Sequence, residues 1–295
     1  MSIVKEYIEI AEQINLHCDL PKIYRLYLPD QRETQDVRDE FGLIFLRGGV
    51  VAPFYASLPG TLETLWQKFP VGREIELDLL DLIRLFADSD LANKAIALGA
   101  FNAMSQFVMQ RAGLLPLNNL AGANMGSAKP RAGERIGMVG YFCPLIDKLV
   151  DRGVEVLVLE KQPERVEARP GVFMSENPAD LEPCRIVLCT AATLINDSID
   201  EILAHCQHAE NVSLIGPSGS GLPDVLFKRG IDAVGGVYFS DQYQLSARLR
   251  DRESWGEAGQ KYQLSPDSYP GYKALLSRIN KARSPNPNIE SQNRV

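Results

Sequence analysis

The sequence predicts an α/β fold: a parallel sheet covered by helices on both faces, preceded by a smaller α+β unit. Three observations carry this. Residues 133–240 repeat one pattern, a short apolar strand, a turn rich in Gly, Pro, Ser, Thr or Asn, and then a helix-like run. The predicted strands, residues 135–140 (RIGMVG), 154–160 (VEVLVLE), 185–190 (RIVLCT), 211–216 (NVSLIG) and 233–239 (AVGGVYF), are apolar nearly throughout, as burial on both faces requires. Residues 113–133 (GLLPLNNLAGANMGSAKPRAG) break both the helical and the strand periodicity and mark a linker or crossover loop between two units.

The first unit, residues 1–112, begins with Val4, Tyr7, Ile8, Ala11 and Ile14 at helical spacing, which predicts an amphipathic helix over 3–16. Strand-like stretches follow at 22–28, 41–47 and 50–57, and Gly48-Gly49 predicts a two-residue hairpin between the last two. Thr61 is placed to cap a helix, with Glu63 in its first turn. Helices are expected at 77–87 and 89–111, the second with Leu91, Ala95, Leu98 and Asn102 on one stripe. The parallel-sheet unit occupies 134–264, with its last part, from 241, polar and scattered with aromatics. A final helix is expected near 271–283 within a C-terminal extension, 265–295, whose end (SPNPNIESQNRV) has the composition of a frayed tail.

Composition bounds the partners. With 295 residues, 45% hydrophobic and 23% charged, the chain is an ordinary globular one with room for about two domains. A net charge of −7 argues against nucleic acid or an anionic membrane as the main partner. No apolar run is long enough to span a bilayer, and the acid-bearing N-terminus does not resemble a secretory signal. Five scattered cysteines do not form a disulfide framework, which points to the cytoplasm.

Open parallel sheets bind ligands beyond the carboxyl ends of their strands, so the turns there are where chemistry is expected. The first turn is Gly140-Tyr141-Phe142-Cys143-Pro144. It lacks the G-x-G-x-x-G fingerprint, and two bulky aromatics stand where the glycines of a pyrophosphate cradle belong, which disfavours an NAD enzyme. Glu160 ends the second strand, where an acid can accept hydrogen bonds from a ribose-like diol or simply be a solvated acid beside Lys161. Thr190, Thr193 and Asn196 follow the third strand; Thr193 or Asn196 can cap the next helix, present a donor to a ligand, or do both. Gly216-Pro217-Ser218-Gly219-Ser220-Gly221 follows the fourth. It lacks the G-K-[ST] of an ATPase loop, and its backbone N–H groups before a short helix at 222–229 suggest an anion or carboxylate site.

No metal site is assigned. His205, Cys206 and His208 look like a cluster, but Cys206 falls on an apolar stripe and both histidines suit a helix C-terminus. Cys184 and Cys189 lack zinc-ribbon spacing and read as buried thiols. Cys143, at a predicted helix start, is the one thiol whose position favours reactivity.

Taken in order, GERIGMVGYFCPLIDKL, VLVLEKQPE, TAATLINDSIDEIL and GPSGSGLPDVLFKRGIDAVGGVYFSD resemble the putative heavy-metal chelation family over residues 134–264, and the preceding FGLIFLRGG and LGAFNAMSQ resemble its companion N-terminal domain. The family's Gly-x-Phe turn corresponds to Gly140-Tyr141-Phe142, its strand-end acid to Glu160, its Thr-Leu-Ile-Asn segment to Thr193-Leu194-Ile195-Asn196 and its Gly-Pro-Ser loop to Gly216-Pro217-Ser218. Ala191-Ala192 departs from the family's usual Gly-Thr pair. The resemblance implies an enolase-N-terminal-like α+β domain joined to a Rossmann-like domain, with the site between them. It also implies a role in metal homeostasis or in processing a siderophore-, pterin- or flavin-like metabolite.

Three readings of the activity follow. The first is a cytoplasmic enzyme on a small polar metabolite: Gly140, Tyr141 and Phe142 shape the pocket, and Glu160 and Asn196 carry the chemistry. Thr190, Thr193, Pro217, Ser218, Gly219 and Ser220 complete the binding surface. The alternatives are a non-catalytic metal-binding protein and a conventional S-adenosylmethionine- or nucleotide-dependent enzyme, so an S-adenosyl compound, a nucleotide-like ligand and a metal ion all stand as candidate bound groups. A homo-oligomer is compatible with the C-terminal extension.

Overall fold

A computed structural model describes residues 2–30, 40–69, 74–115 and 128–283. Helix α1 (Ile3–His17) starts at Ser2, whose Oγ accepts from the Lys5 N–H, and turns Tyr7, Ile10, Ala11 and Ile14 inward. Strands β1 (Ile23–Tyr27), β2 (Phe41–Leu46) and β3 (Val51–Tyr55) form an antiparallel sheet in that order. The hairpin between β2 and β3 is one residue longer than expected. The Leu46 N–H donates to the Val50 carbonyl at 2.9 Å, leaving Arg47, Gly48 and Gly49 in the loop, where the Gly49 N–H turns back to the Leu46 carbonyl. Helices α2 (Thr61–Lys68), α3 (Leu79–Arg84) and α4 (Leu91–Arg111) follow. Thr61 does not cap α2: Gly60 takes the cap position, and Thr61 is the first helical residue, buried, with its hydroxyl unpartnered among the described residues.

Helix α4 departs from the expected single stripe. Sixteen of its 21 residues are buried, so it is surrounded rather than amphipathic. One side packs on β2 and β3 and another on the C-terminal helix at Tyr272–Arg283 and the turn at Pro217–Gly219. Tyr7 meets Phe101 of α4 edge-on, ring centroids 4.5 Å apart.

The second unit runs β4 (Arg135–Val139), α5 (Cys143–Val150), β5 (Glu155–Leu159), β6 (Val172–Ser175), β7 (Ile186–Thr190), α6 (Ile199–Ala204), β8 (Asn211–Ile215), α7 (Asp224–Phe227), β9 (Ala233–Tyr238), α8 (Gln242–Arg250), β10 (Gln260–Leu264) and α9 (Tyr272–Arg283). The sheet order is β6-β5-β4-β7-β8-β9-β10, parallel except for the antiparallel edge strand β10. From β4 the chain winds outward through β5 and β6, then returns to β7 on the other side. The switch point therefore lies between β4 and β7, the doubly wound Rossmann order.

Two strands escaped the sequence reading. β6 replaces part of an expected helical run, because Pro163, Pro170, Pro178 and Pro183 exclude a continuous helix there. β10 (QKYQL) buries only Tyr262 and Leu264 and reads as polar because it is an edge.

One cluster of buried side chains runs through both units, from Tyr7 and Phe101 to Leu214 of β8 and Leu275 of α9. The first part of the C-terminal extension belongs to it. The Tyr269 hydroxyl donates to Asp224 at 2.6 Å and the Tyr272 N–H to the same carboxylate at 3.1 Å, anchoring α9. The expected frayed end, 284–295, and residues 116–127 of the expected linker lie outside the described residues. Among those described, no helix is long and apolar enough to cross a membrane.

Candidate functional site

A cavity of about 640 Å³ opens at the switch point, walled by the carboxyl ends of β4, β5, β7 and β8 on one side and by Glu40, Phe41 and Tyr55 of the small unit on the other. Two backbone positions shape its floor. Gly140 and Gly216 have φ of +88° and +105°, which ordinary side chains rarely adopt. The Phe142 ring lies over both, 3.6 Å and 3.8 Å from where their Cβ atoms would stand. Phe142 precedes α5, and its carbonyl accepts from the Leu145 and Ile146 N–H groups. An aromatic ring thus occupies the ground a dinucleotide pyrophosphate would need.

Around this floor the polar groups are held in place. Glu160 Oε1 accepts from the N–H groups of Lys161 (2.9 Å) and Gln162 (3.2 Å), which fixes the carboxylate at the end of β5. Asn196 Oδ1 accepts from the Ser198 N–H (3.2 Å) and hydroxyl (2.7 Å), so its amide nitrogen is the group it offers the cavity. Neither Thr193 nor Asn196 caps α6, which begins after Ser198. Thr193 donates to the Thr190 carbonyl at 2.6 Å, and Thr190 Oγ1 accepts from the Ala192 N–H; both residues line the wall with hydroxyls already engaged. The Tyr141 hydroxyl accepts from the Glu167 N–H and donates toward Cys143 Sγ at 3.9 Å; Cys143 lies 4.0 Å from Asp147.

Gly140, Tyr141, Phe142, Glu160, Thr190, Thr193, Asn196, Pro217 and Ser218 border the cavity; Gly219 and Ser220 do not. Ser220 is fully buried, its hydroxyl bonded to Pro217 and Val237, and Gly219 packs so closely on the Gly235 carbonyl that a Cβ would stand 2.6 Å from it. The expected anion cradle is also absent. The Gly219 and Ser220 N–H groups are committed to the Gly216 and Pro217 carbonyls, and α7 is a four-residue helix with Asp224 in its first turn. The glycine-rich run closes into a 3₁₀ turn against β9 instead of opening toward a ligand.

The sequence reading missed the small unit's contribution. The Tyr55 N–H donates to Ser218 Oγ at 2.8 Å, bringing the end of β3 to the Gly-Pro-Ser turn. The Tyr55 hydroxyl donates to Glu40 at 3.4 Å, and Arg165, in the loop after β5, pairs with the same carboxylate oxygen at 3.1 Å. Burial, then the nearby Glu40 charge, pushes the Tyr55 phenol up, so it stays a proton donor at neutral pH. Burial pulls the Arg165 guanidinium down, but Tyr55, Glu40 and Glu160 outweigh it and hold it above its ordinary range. The only hint in the sequence was position: Glu40 precedes one predicted strand and Tyr55 lies toward the end of the next, but nothing in an antiparallel pattern says which end meets the second unit.

Among the described residues, no group of three or more His, Cys, Asp or Glu side chains gathers as metal ligands. His205 pairs with Glu182 at 2.9 Å, and Cys18, Cys184, Cys189 and Cys206 are buried apart from the cavity. These residues do not fit a resident heavy-metal ion.

Fold and cleft together define a Rossmann-like domain with a small α+β unit closing over its switch point. Residues 125–265 match the model of the family described as "Putative heavy-metal chelation". An uncharacterized protein of Methanocaldococcus jannaschii is 23% identical over 169 residues, 57% of this chain; the match spans 62% of that relative, less than two thirds of its length. Two solved structures of proteins of unknown function from the same family are similar. One, from Pyrococcus horikoshii, has a TM-score of 0.57, and the other, from Desulfitobacterium hafniense, 0.60; each is 18% identical, with 89% of this chain and 98% of the other covered. At that identity the likeness is one of fold.

Proposed function

We propose that the chain is a cytoplasmic enzyme whose cleft binds a small, ring-bearing, hydroxylated metabolite of nucleoside-like or pterin-like form. Any link to heavy metals then runs through the metabolite rather than through an ion held by the protein. The observation that carries this reading is the cavity itself: about 640 Å³ at the switch point, with the Phe142 ring as its floor and Glu160 at the end of β5. A planar ring stacks on Phe142, and a vicinal diol donates to the Glu160 carboxylate. Glu160 is the candidate base, the Asn196 amide is the donor, and the Tyr55–Glu40–Arg165 cluster closes the wall opposite.

The test is a thermal-shift panel of nucleosides, S-adenosyl compounds and pterins at millimolar concentration. A ligand at a hundred times its Kd stabilises by about 2.7 kcal/mol, a shift of several degrees. No shift with any member would overturn the reading.

A further inference from the structure

We propose that the ligand carries a positive charge, a sulfonium or ammonium group seated against Glu160. This rests on the nucleoside-like reading of the cleft and adds the ligand's charge to it.

The charged side chains lining the cavity are unbalanced: Glu40, Glu160, Glu176 and Glu201 against Lys161 and Arg165 among the described residues. The half-buried layer contains Glu40, Glu160 and Arg165, and Arg165 Nη2 bonds to Glu40 at 3.1 Å. Glu160 is the remaining carboxylate. Its Oε1 takes two backbone N–H groups, and no Lys, Arg or His among the described residues forms an ion pair with it. Arg165 reaches Glu160 only at longer range, and a half-buried carboxylate with no direct ion pair favours a cationic guest, because partial removal from water strengthens the attraction. The aromatic residues Tyr55, Tyr141 and Phe142 line the same walls, and aromatic rings attract cations. An anionic guest would meet the opposite, a surplus of carboxylates.

The experiment is calorimetric binding of a matched pair to the full chain: methylthioadenosine, and the same molecule methylated on sulfur to the sulfonium. The two share ring, diol and nearly all of their volume, and differ by one charge. The proposal predicts that the sulfonium binds about tenfold tighter. Glu160→Gln removes that preference, and Glu155→Gln, the same charge change at the opposite end of β5, retains it. Equal binding of the two compounds overturns the cation proposal and leaves the nucleoside reading standing. No binding of either at millimolar concentration overturns both. A preference that survives Glu160→Gln removes the assignment to Glu160 and with it the proposal.

Discussion

Asn102 joins the two units with a single amide. It is buried in α4, and its Nδ2 donates to the Pro53 carbonyl of β3 at 3.0 Å and to the Ser218 carbonyl of the Gly-Pro-Ser turn at 2.9 Å. Asn102→Ala leaves two buried carbonyls without these donors, at a cost of about 1–3 kcal/mol each. The loss is partly offset, because Asn102 Oδ1 has no partner among the described residues and its own burial penalty disappears. The net expectation is destabilisation of about 2–3 kcal/mol, read as a lower urea midpoint at unchanged slope. Asn102→Asp should cost more, since it sets a carboxylate against two carbonyl oxygens. Because Ser218 also receives the Tyr55 N–H, the alanine variant should weaken binding in the cleft as well as stability. A midpoint shift equivalent to less than about 0.5 kcal/mol would refute the bridging argument, as that is the range of an ordinary surface substitution.

Other consequences can be checked directly. Cys143 is the one cysteine of the five that is not buried, so a thiol reagent should label one site per native chain and five in denaturant; two or more fast native sites would contradict the packing. Burial pushes the Cys189 thiol up to about 12 and Cys206 to about 11, from an ordinary value near 9. Their contribution to stability is therefore complete below about pH 9 and is lost as pH rises toward 11–12, so urea midpoints should fall across that window, and a flat alkaline profile would argue against buried thiols. Phe142→Ala should lower affinity for a ring-bearing ligand by roughly tenfold or less, the worth of one aromatic contact, with its signature in calorimetric affinity rather than in the urea slope.

Much of the fold was legible because parallel strands buried on both faces are apolar nearly throughout, as RIGMV, EVLVL and IVLCT are apart from Arg135, Glu155 and Thr190 at their ends. Edge strands carry no such constraint, and that is why Gln260–Leu264 shows in the sequence only as part of a polar stretch with scattered aromatics. Helix α4 was legible as a helix but not as a central one: a stripe from Leu91 to Asn102 is visible in sequence, whereas burial on every side depends on which elements surround it. At the site, turns following parallel strands were found because the chain direction says which end faces the ligand. Ser220 was misplaced because glycine and serine are equally suited to an open anion loop and to a closed 3₁₀ turn, and only the approach of β9 decides between them. Tyr55, Glu40 and Arg165 meet across long sequence separations, which no local pattern records.

The central claim is that the cleft at the switch point holds a ligand between Phe142 and Glu160. Its most direct test is a crystal structure of the full chain grown with methylthioadenosine. The account predicts the adenine ring against Phe142 and the ribose hydroxyls within hydrogen-bond distance of the Glu160 carboxylate. Density for the compound elsewhere on the molecule, with this cleft empty, would contradict it.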